Sequence, residues 1–457
     1  MPALKHALDA LGAKVDELGG TVTASFVDVE TGDVLASKHA KRALNPASNA
    51  KVLTAATALA KLHGSHRYVT ALYGKVKGGA AANVVLRGSG DPSLTTADLW
   101  ELVRDLKAAG VKRVEGNLLV DQRFFDEQFT PPAFEQQPNE WASFRAPISA
   151  LAVNGNTITL TVRPGAAGSA AQATFDPPGF VDVDGQVKTV DGAAAQNVIL
   201  TLSGKGSRLT AQLAGSIPES SRALSFTRRV EDPRLLGGYV VKALLAEAQI
   251  AFAGEVKLGG ERSRAPAIAV HRSKPLSTLL YELGKQSDNF YAEMVWKTLA
   301  LEEKGRPAKA GGAAEVVTQY LAEIGAAEEG TVVKNGSGLF DANRVSASVM
   351  TKVLRAAMRD GAISSEFVAQ LAVGGQDGTL RHRFRDTPSR GIVRAKTGTL
   401  EGAASLSGYV MAPAGRSPVA FSIIINGVPG KVSTARAVMD KAVGALITHL
   451  WAERAAK

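Results

Sequence analysis

The strongest constraint on the fold is a change of texture along the chain. From about residue 156 to 230 the sequence is a run of short β-branched segments, such as 157–162 and 198–202, broken repeatedly by Gly and Pro. Punctuation at such short intervals predicts a small β module. The ends read differently. Leu4, Leu8, Leu11, Val15 and Leu18 recur at helical spacing, and 21–30 and 34–37 flank a Thr31-Gly32-Asp33 turn as a hairpin. Near the other end, 392–400, 404–411 and 419–426 read as partner strands, followed by an amphipathic helix over 434–452. Between these ends and the β module lie strand-like pieces at 69–76, 83–87, 116–120, 255–258 and 267–271, with helices at 95–109 and 233–248. Further helices are expected at 275–283 and from Ser346 and Ser365. The expectation is therefore an α/β (α+β) protein whose middle is an insertion.

Composition narrows the function classes. A chain of 457 residues with 45% hydrophobic side chains can bury a large core and should form two or three domains. A net charge of +10 and a pI near 9.6 favour anionic partners: nucleic acid, a membrane surface or an acidic polymer such as cell wall. The basic residues are scattered with no interleaved aromatics, which argues against nucleic acid. The absence of cysteine excludes disulfides, thiol nucleophiles and thiolate metal sites. Seven dispersed histidines and no His-Glu-x-x-His leave no metal site or cofactor to expect. The cluster Gly88-Ser89-Gly90-Asp91-Pro92 lacks the Gly-Lys-Ser/Thr of a phosphate loop and reads as a turn. No apolar run reaches the ~18 residues of a membrane span, and no signal-like apolar core opens the chain.

One candidate nucleophile stands out. Asn45 and Pro46 read as an N-cap and first helical position, and the helix they open runs to Gly64, carrying Ser48 and Lys51 one turn apart. A serine beside an amine at the positive end of a helix suits acyl transfer. Ser-x-x-Lys occurs once, and a chain of this length would show it about once or twice by accident. No Gly-x-Ser-x-Gly elbow offers an alternative. A lysine base works only as the neutral amine, several pH units below its usual ~10.4, and burial or a second cation would push it there. Lys396 is a natural second cation if its strand borders the same cleft.

Ser287-Asp288-Asn289 alone reads as a helix cap, and Lys396-Thr397-Gly398 alone as a surface strand. Ser-x-x-Lys, Ser-Asp-Asn and Lys-Thr-Gly in this order, on helix, loop and strand, are another matter: the set resembles penicillin-binding proteins and serine β-lactamases. More than half the chain separates Ser48 from Ser287, too far for a β-lactamase-sized protein. Pro46-Ala47-Ser48-Asn49, Gly88–Leu94, Ala146–Leu151, Asp377-Gly378-Thr379-Leu380 and Thr399-Leu400 agree as well. The chain thus resembles, nearly end to end, the low-molecular-mass class C penicillin-binding proteins, the type-4 D-alanyl-D-alanine carboxypeptidases/endopeptidases.

That resemblance implies a transpeptidase-like domain, an antiparallel sheet flanked by helices, over 1–67 and 268–457. It implies an inserted domain II over 68–155 and 226–267, with a small β domain III nested at 156–225. Ser48 would attack the carbonyl between two D-alanines of a peptidoglycan stem peptide, with Lys51 taking its proton. Ser287 would relay a proton between Lys51 and the leaving nitrogen, and Asn289 would hold the substrate amide and Lys51. Lys396 would pair with the terminal carboxylate beside the Thr397 and Thr399 hydroxyls, and Gly398 would leave the strand edge bare for the substrate backbone. The N–H groups of Ser48 and Thr399 would form the oxyanion hole, with Leu400 next to it. Ser337, within Asn335-Gly336-Ser337-Gly338-Leu339, would line the cleft, and Trp141 and Phe144 would shape a side pocket for the stem peptide. Many relatives carry tyrosine where Phe144 stands. β-Lactams would acylate Ser48 as mimics of D-Ala-D-Ala. The substrate implies a periplasmic or otherwise extracytoplasmic, exported protein, at most peripherally associated with membrane or wall. A β-lactamase or esterase on the same scaffold, and a non-catalytic wall-binding or β-lactam-sensing protein, are the alternative readings.

Overall fold

The computed structural model describes residues 2–137, 139–192, 195–205, 208–260, 263–386 and 390–451. The chain divides into two compact units: residues 1–66, 131–136 and 274–457 form the first, and 67–130 and 137–273 the second.

The strands of the first unit are β1 (Thr21–Asp28), β2 (Val34–Lys38), β3 (Ala372–Val373), β4 (Val393–Leu400), β5 (Ala403–Val410) and β6 (Val419–Asn426). They form one antiparallel sheet in the order β3-β4-β5-β6-β1-β2. Its helices are α1 (Pro2–Glu17), α2 (Ala50–Leu62), α3 (Leu276–Tyr281), α4 (Asn289–Lys304), α5 (Ala310–Glu323), α6 (Ala347–Arg359), α7 (Ser364–Ala369) and α8 (Val432–Trp451). The expected end of α8 at Ala452 lies outside the described residues.

Pleating decides what covers each face of this sheet. Val22, Ala24 and Phe26 of β1 and Phe421, Ile423 and Ile425 of β6 share a core with Leu4, Leu8, Leu11 and Val15 of α1. Met439, Val443 and Leu446 of α8 complete that layer. Each such leucine removed from water contributes roughly 1.5–3 kcal/mol. The alternate residues meet α6: Thr351 Oγ1 bonds Ser25 Oγ (3.3 Å), and the Tyr409 hydroxyl donates to the Leu354 carbonyl (2.7 Å). With both faces covered, β5 is buried at every position.

The second unit holds a sheet in which Val69–Lys77 pairs with Ala80–Gly88 on one side and with Ala267–Arg272 on the other. Helices Thr96–Ala108, closed by a Thr95/Asp98 capping box, and Leu236–Glu247 share its core through Leu99, Leu102, Val240 and Leu244. The segments expected as a third domain form two further sheets, around Thr157–Arg163 and Arg208–Pro218. Leu160, Val162, Val187, Leu213 and Ile217 make a separate core there. Two boundaries differ from expectation. The second unit extends to Ser273 because Ala267–Arg272 is zipped to Val69–Lys77. Residues 131–136, expected in the insert, fold with the first unit, where the Phe134 ring packs edge-on against Phe340.

Candidate active site

The turn that carries Ser48 is held from two sides. Asn45 Oδ1 accepts from the Ala47 N–H (2.9 Å), as an N-cap would. The segment that follows, however, is a 3-10 turn over Ala47–Asn49 whose N-cap is Pro46 rather than Asn45, and α2 begins only at Ala50. The expected α-helical turn from Pro46 is corrected accordingly. Ala47 takes a left-handed φ of +48°, and its carbonyl lies so close to Gly338 that a Cβ there would come within 1.8 Å of that oxygen. On the other side the Pro46 carbonyl accepts from Ser405 Oγ of β5 (2.6 Å). The Asn49 side-chain amide, oriented to satisfy both partners, reaches the Lys396 carbonyl (2.6 Å) and the Leu406 N–H (3.1 Å). Ala47 and Asn49 are buried and Ser48 between them is half-exposed.

Lys51, on the first turn of α2, has no solvent exposure. Its Nζ donates to Ser48 Oγ (3.1 Å), Asn289 Oδ1 (2.8 Å) and the Ser337 carbonyl (2.7 Å). Burial pushes the amine down to about 7, against the opposing pull of the Glu293 and Asp288 carboxylates. A substantial fraction is therefore neutral near pH 7, as a proton acceptor must be.

Lys396 presents a second buried amine, 1% exposed. Its Nζ donates to Ser287 Oγ (2.7 Å) and to the Thr397 carbonyl (2.7 Å). Burial first, and Lys51 second, hold it well below the ordinary lysine range. Ser287 closes a π-helical turn, Glu282–Gln286, with a left-handed φ of +64°. The next residue, Asp288, caps α4 by accepting from the Tyr291 N–H (2.9 Å). A non-glycine residue in that backbone region costs of order 1 kcal/mol or more, and here it aims the hydroxyl at Lys396. Ser287, expected to relay a proton between Lys51 and the leaving nitrogen, thus has the Lys396 amine as its hydrogen-bond partner.

The remaining expected residues separate by location. Thr397 is half-buried and donates to Thr379 Oγ1 (2.8 Å); Thr399 is exposed; Leu400 is half-buried at the strand end. Among the described residues the short β3 pairs with β4 only at Arg394 and Ala395, so no strand covers that edge from Lys396 to Leu400. Gly398 faces inward rather than toward that edge. A Cβ there would meet Ser405 Oγ at 2.2 Å, the Pro46 carbonyl at 2.9 Å and Ser48 N at 3.0 Å, so glycine lets the strand lie against the nucleophile turn. Ser337, expected to line the cleft, is fully buried. What it offers is its carbonyl, to Lys51. Trp141 and Phe144 belong to the second unit, where the Arg229 guanidinium lies over the Trp141 ring (5.2 Å) and Phe144 is 45% exposed.

Two groups escape the motif-based reading. Glu293, 1% exposed, accepts from the Ser337 N–H through Oε1 (2.7 Å), and burial pushes its carboxyl up against the pull of that bond. Its position four residues after Asn289, on the same helix face, is the signal that could have found it. Arg436, on the second turn of α8, donates through Nη2 to Thr399 Oγ1. Nothing in its sequence surroundings marks it. The assembly of serine hydroxyl, partly neutral amine, second amine–hydroxyl pair and open strand edge has the parts needed to acylate Ser48, with Lys51 as the base.

Comparison with known proteins agrees with this chemistry. The model of the D-Ala-D-Ala carboxypeptidase 3 (S13) family matches residues 4–447. A D-alanyl-D-alanine carboxypeptidase of Actinomadura sp. (strain R39) is 31% identical over 454 residues, covering 92% of this chain and 83% of the relative. The D-alanyl-D-alanine carboxypeptidase DacB of Haemophilus influenzae is 26% identical over 429 residues, 90% of this chain and 86% of the relative. The crystal structure of penicillin binding protein 4 (dacB) from Haemophilus influenzae matches with a TM-score of 0.79 at 24% identity, covering 95% of this chain and 99% of that one. The overall fold is shared.

Proposed function

The chain belongs to the D-Ala-D-Ala carboxypeptidase 3 (S13) family, and on that premise we propose how it works as a serine-type D-alanyl-D-alanine carboxypeptidase/endopeptidase. Ser48 Oγ gives its proton to the neutral Lys51 amine and attacks the carbonyl between the two D-alanines of a peptidoglycan stem peptide. The N–H groups of Ser48 and Thr399 hold the resulting oxyanion, a contribution typically of a few kcal/mol to the barrier. When the C–N bond breaks, the proton held by Lys51 passes through the Ser287 hydroxyl, which Lys396 holds in place (2.7 Å), to the leaving amine, leaving an acyl-serine ester and a neutral Lys51. Water then attacks the ester, gives its proton to Lys51, and Lys51 returns it to Ser48 Oγ as the acyl group leaves. Asn289 orients both the substrate amide and Lys51, and the substrate backbone lies along the open edge of β4.

The observation that carries this reading is the Lys51 amine, fully buried, 3.1 Å from Ser48 Oγ and brought down to about 7. In the same reading Trp141 and Phe144 select the stem-peptide side chain, Leu400 flanks the scissile residue, and β-lactams acylate Ser48. The protein acts outside the cytoplasmic membrane, and its net charge of +10 favours association with an anionic wall or membrane surface. Among the described residues no helix is long and apolar enough to cross a membrane.

The test uses a fluorescent penicillin and the peptide diacetyl-Lys-D-Ala-D-Ala. Wild type should take a covalent label and release D-alanine, and Ser48→Ala should do neither. A wild type that takes no label ends the acyl-enzyme reading. Labelling without D-alanine release would instead favour a β-lactam sensor.

A further inference from the structure

We propose that Arg436 is the charged anchor for the carboxylate that the leaving residue of the substrate bears, replacing Lys396 in that role. The inference rests on the acyl-transfer reading above and adds a specificity residue to it.

The position of the carboxylate follows from covalent geometry. In a D-Ala-D-Ala terminus, the carboxylate carbon lies three bonds beyond the scissile carbonyl, about one residue's span of ~3.5 Å. With the oxyanion held at the Thr399 N–H, that carboxylate falls within reach of the exposed Thr399 hydroxyl and the neighbouring Thr397. A carboxylate there needs a countercharge. Lys396 is poorly placed to supply it: its amine is buried, committed to Ser287 Oγ and the Thr397 carbonyl, and forced toward its neutral form by its surroundings.

Arg436 meets the requirement. Its guanidinium already bonds Thr399 Oγ1, and only one of its five N–H donors is used in doing so. The acid one turn along α8, Asp440, is occupied: Arg383 bonds both its oxygens through Nε (3.2 and 3.1 Å) and Oδ1 again through Nη2. That carboxylate is thereby committed to Arg383. Among the described residues Arg436 has no ion pair of its own, and Arg383 repels it. The result is an unneutralised planar cation beside the open edge of β4, with a donor fork suited to a carboxylate.

The experiment compares acylation of Ser48 by benzylpenicillin, which carries a carboxylate, with acylation by its methyl ester, which does not. Second-order rates are read by mass spectrometry for wild type, Arg436→Ala and Arg436→Lys. Losing a charge-assisted bond should slow Arg436→Ala on the acid by about 10- to 100-fold. The ester rate should stay within about threefold, and Arg436→Lys should recover part of the acid rate. Equal losses on acid and ester would assign Arg436 a merely structural role through Thr399, and an unchanged acid rate would remove it from the site; either overturns the proposal. Wild type acylated at no serine by either compound would instead defeat the underlying acyl-enzyme reading, and this proposal with it.

Discussion

A lysine can take the Ser48 proton only as the free amine, so the acylation rate must follow the deprotonated fraction of Lys51. With that group at about 7, the rate constant for penicillin acylation should be flat above roughly pH 8. Below pH 7 it should fall about tenfold per unit, as the amine binds the proton that disables it. Stopped-flow acylation across pH 5–9 checks this, and a profile flat down to pH 5 would remove Lys51 as the base. Glu293 supplies a further handle at the same scale. Its carboxylate favours the charged amine, so Glu293→Gln should lower the Lys51 pKa and move the acidic limb to lower pH. A limb that stays in place would mean that Glu293 is protonated in the resting enzyme, a state toward which its burial pushes it. Among single residues, the three motifs were legible because each chemical role demands a side-chain type at a short spacing. Glu293 and Arg436 were not, since each is one acid or base among many and gains meaning only from what folds against it.

Elements meet at this site through backbone rather than side chain, and two glycines make that contact. A Cβ on Gly338 would sit 1.8 Å from the Ala47 oxygen, and its φ of +73° disfavours any other residue. Gly338→Ala should therefore cost about 3 kcal/mol or more in urea unfolding, because two backbone segments have to separate. Gly398→Ala meets its closest atom on a serine side chain, which can rotate, so stability should fall less. The strand would still be pushed off Ser48 N, and penicillin acylation should drop by 100-fold or more while the far-UV circular dichroism is kept. Retention of wild-type acylation in Gly398→Ala would show that the approach of β4 to the nucleophile turn is not needed. These contacts also explain what sequence patterning misses. Ala47 is left-handed and its carbonyl packs on Gly338, a contact from nearly 300 residues away that no local propensity carries. Helix α4 is buried continuously from Ala292 to Leu301, so it lacks the polar face that would reveal a 3.6-residue period. In α5 the Gly311-Gly312 pair lowers helix propensity over the first turn. Where one face was wet, as in α1, or the strands were flanked by clear turns, as in β1 and β6, the pattern was readable.

At the scale of the whole molecule, the chain path sets what can be cut away. The second unit closes on itself: the Ser273 N–H donates to the Tyr68 carbonyl (3.0 Å), the Tyr68 N–H donates to Ser273 Oγ (3.0 Å), and Arg272 pairs with Val69. Its two ends are therefore adjacent, and its cores around Leu99, Leu102 and Val240 and around Leu160 and Leu213 come from its own residues. A fragment spanning 67–273 should fold alone, with a strand-rich circular dichroism spectrum and one or two cooperative thermal transitions. A gradual, non-cooperative melt would show that the unit depends on the rest of the chain. The converse deletion should not be neutral, because residues 131–136 belong to the first unit. The Pro132 carbonyl accepts from Asn335 Nδ2 (2.9 Å), and Phe134 packs on Phe340. Asn335 in turn accepts from the Gly338 N–H (2.9 Å), in the loop whose Ser337 carbonyl holds Lys51. A chain joined from His66 to Lys274 loses that support, so its penicillin labelling should fall at least tenfold even if its sheet forms. Supplying 131–136 within a longer linker should restore part of it, since what the loop lacks is a carbonyl and a ring rather than the whole insert.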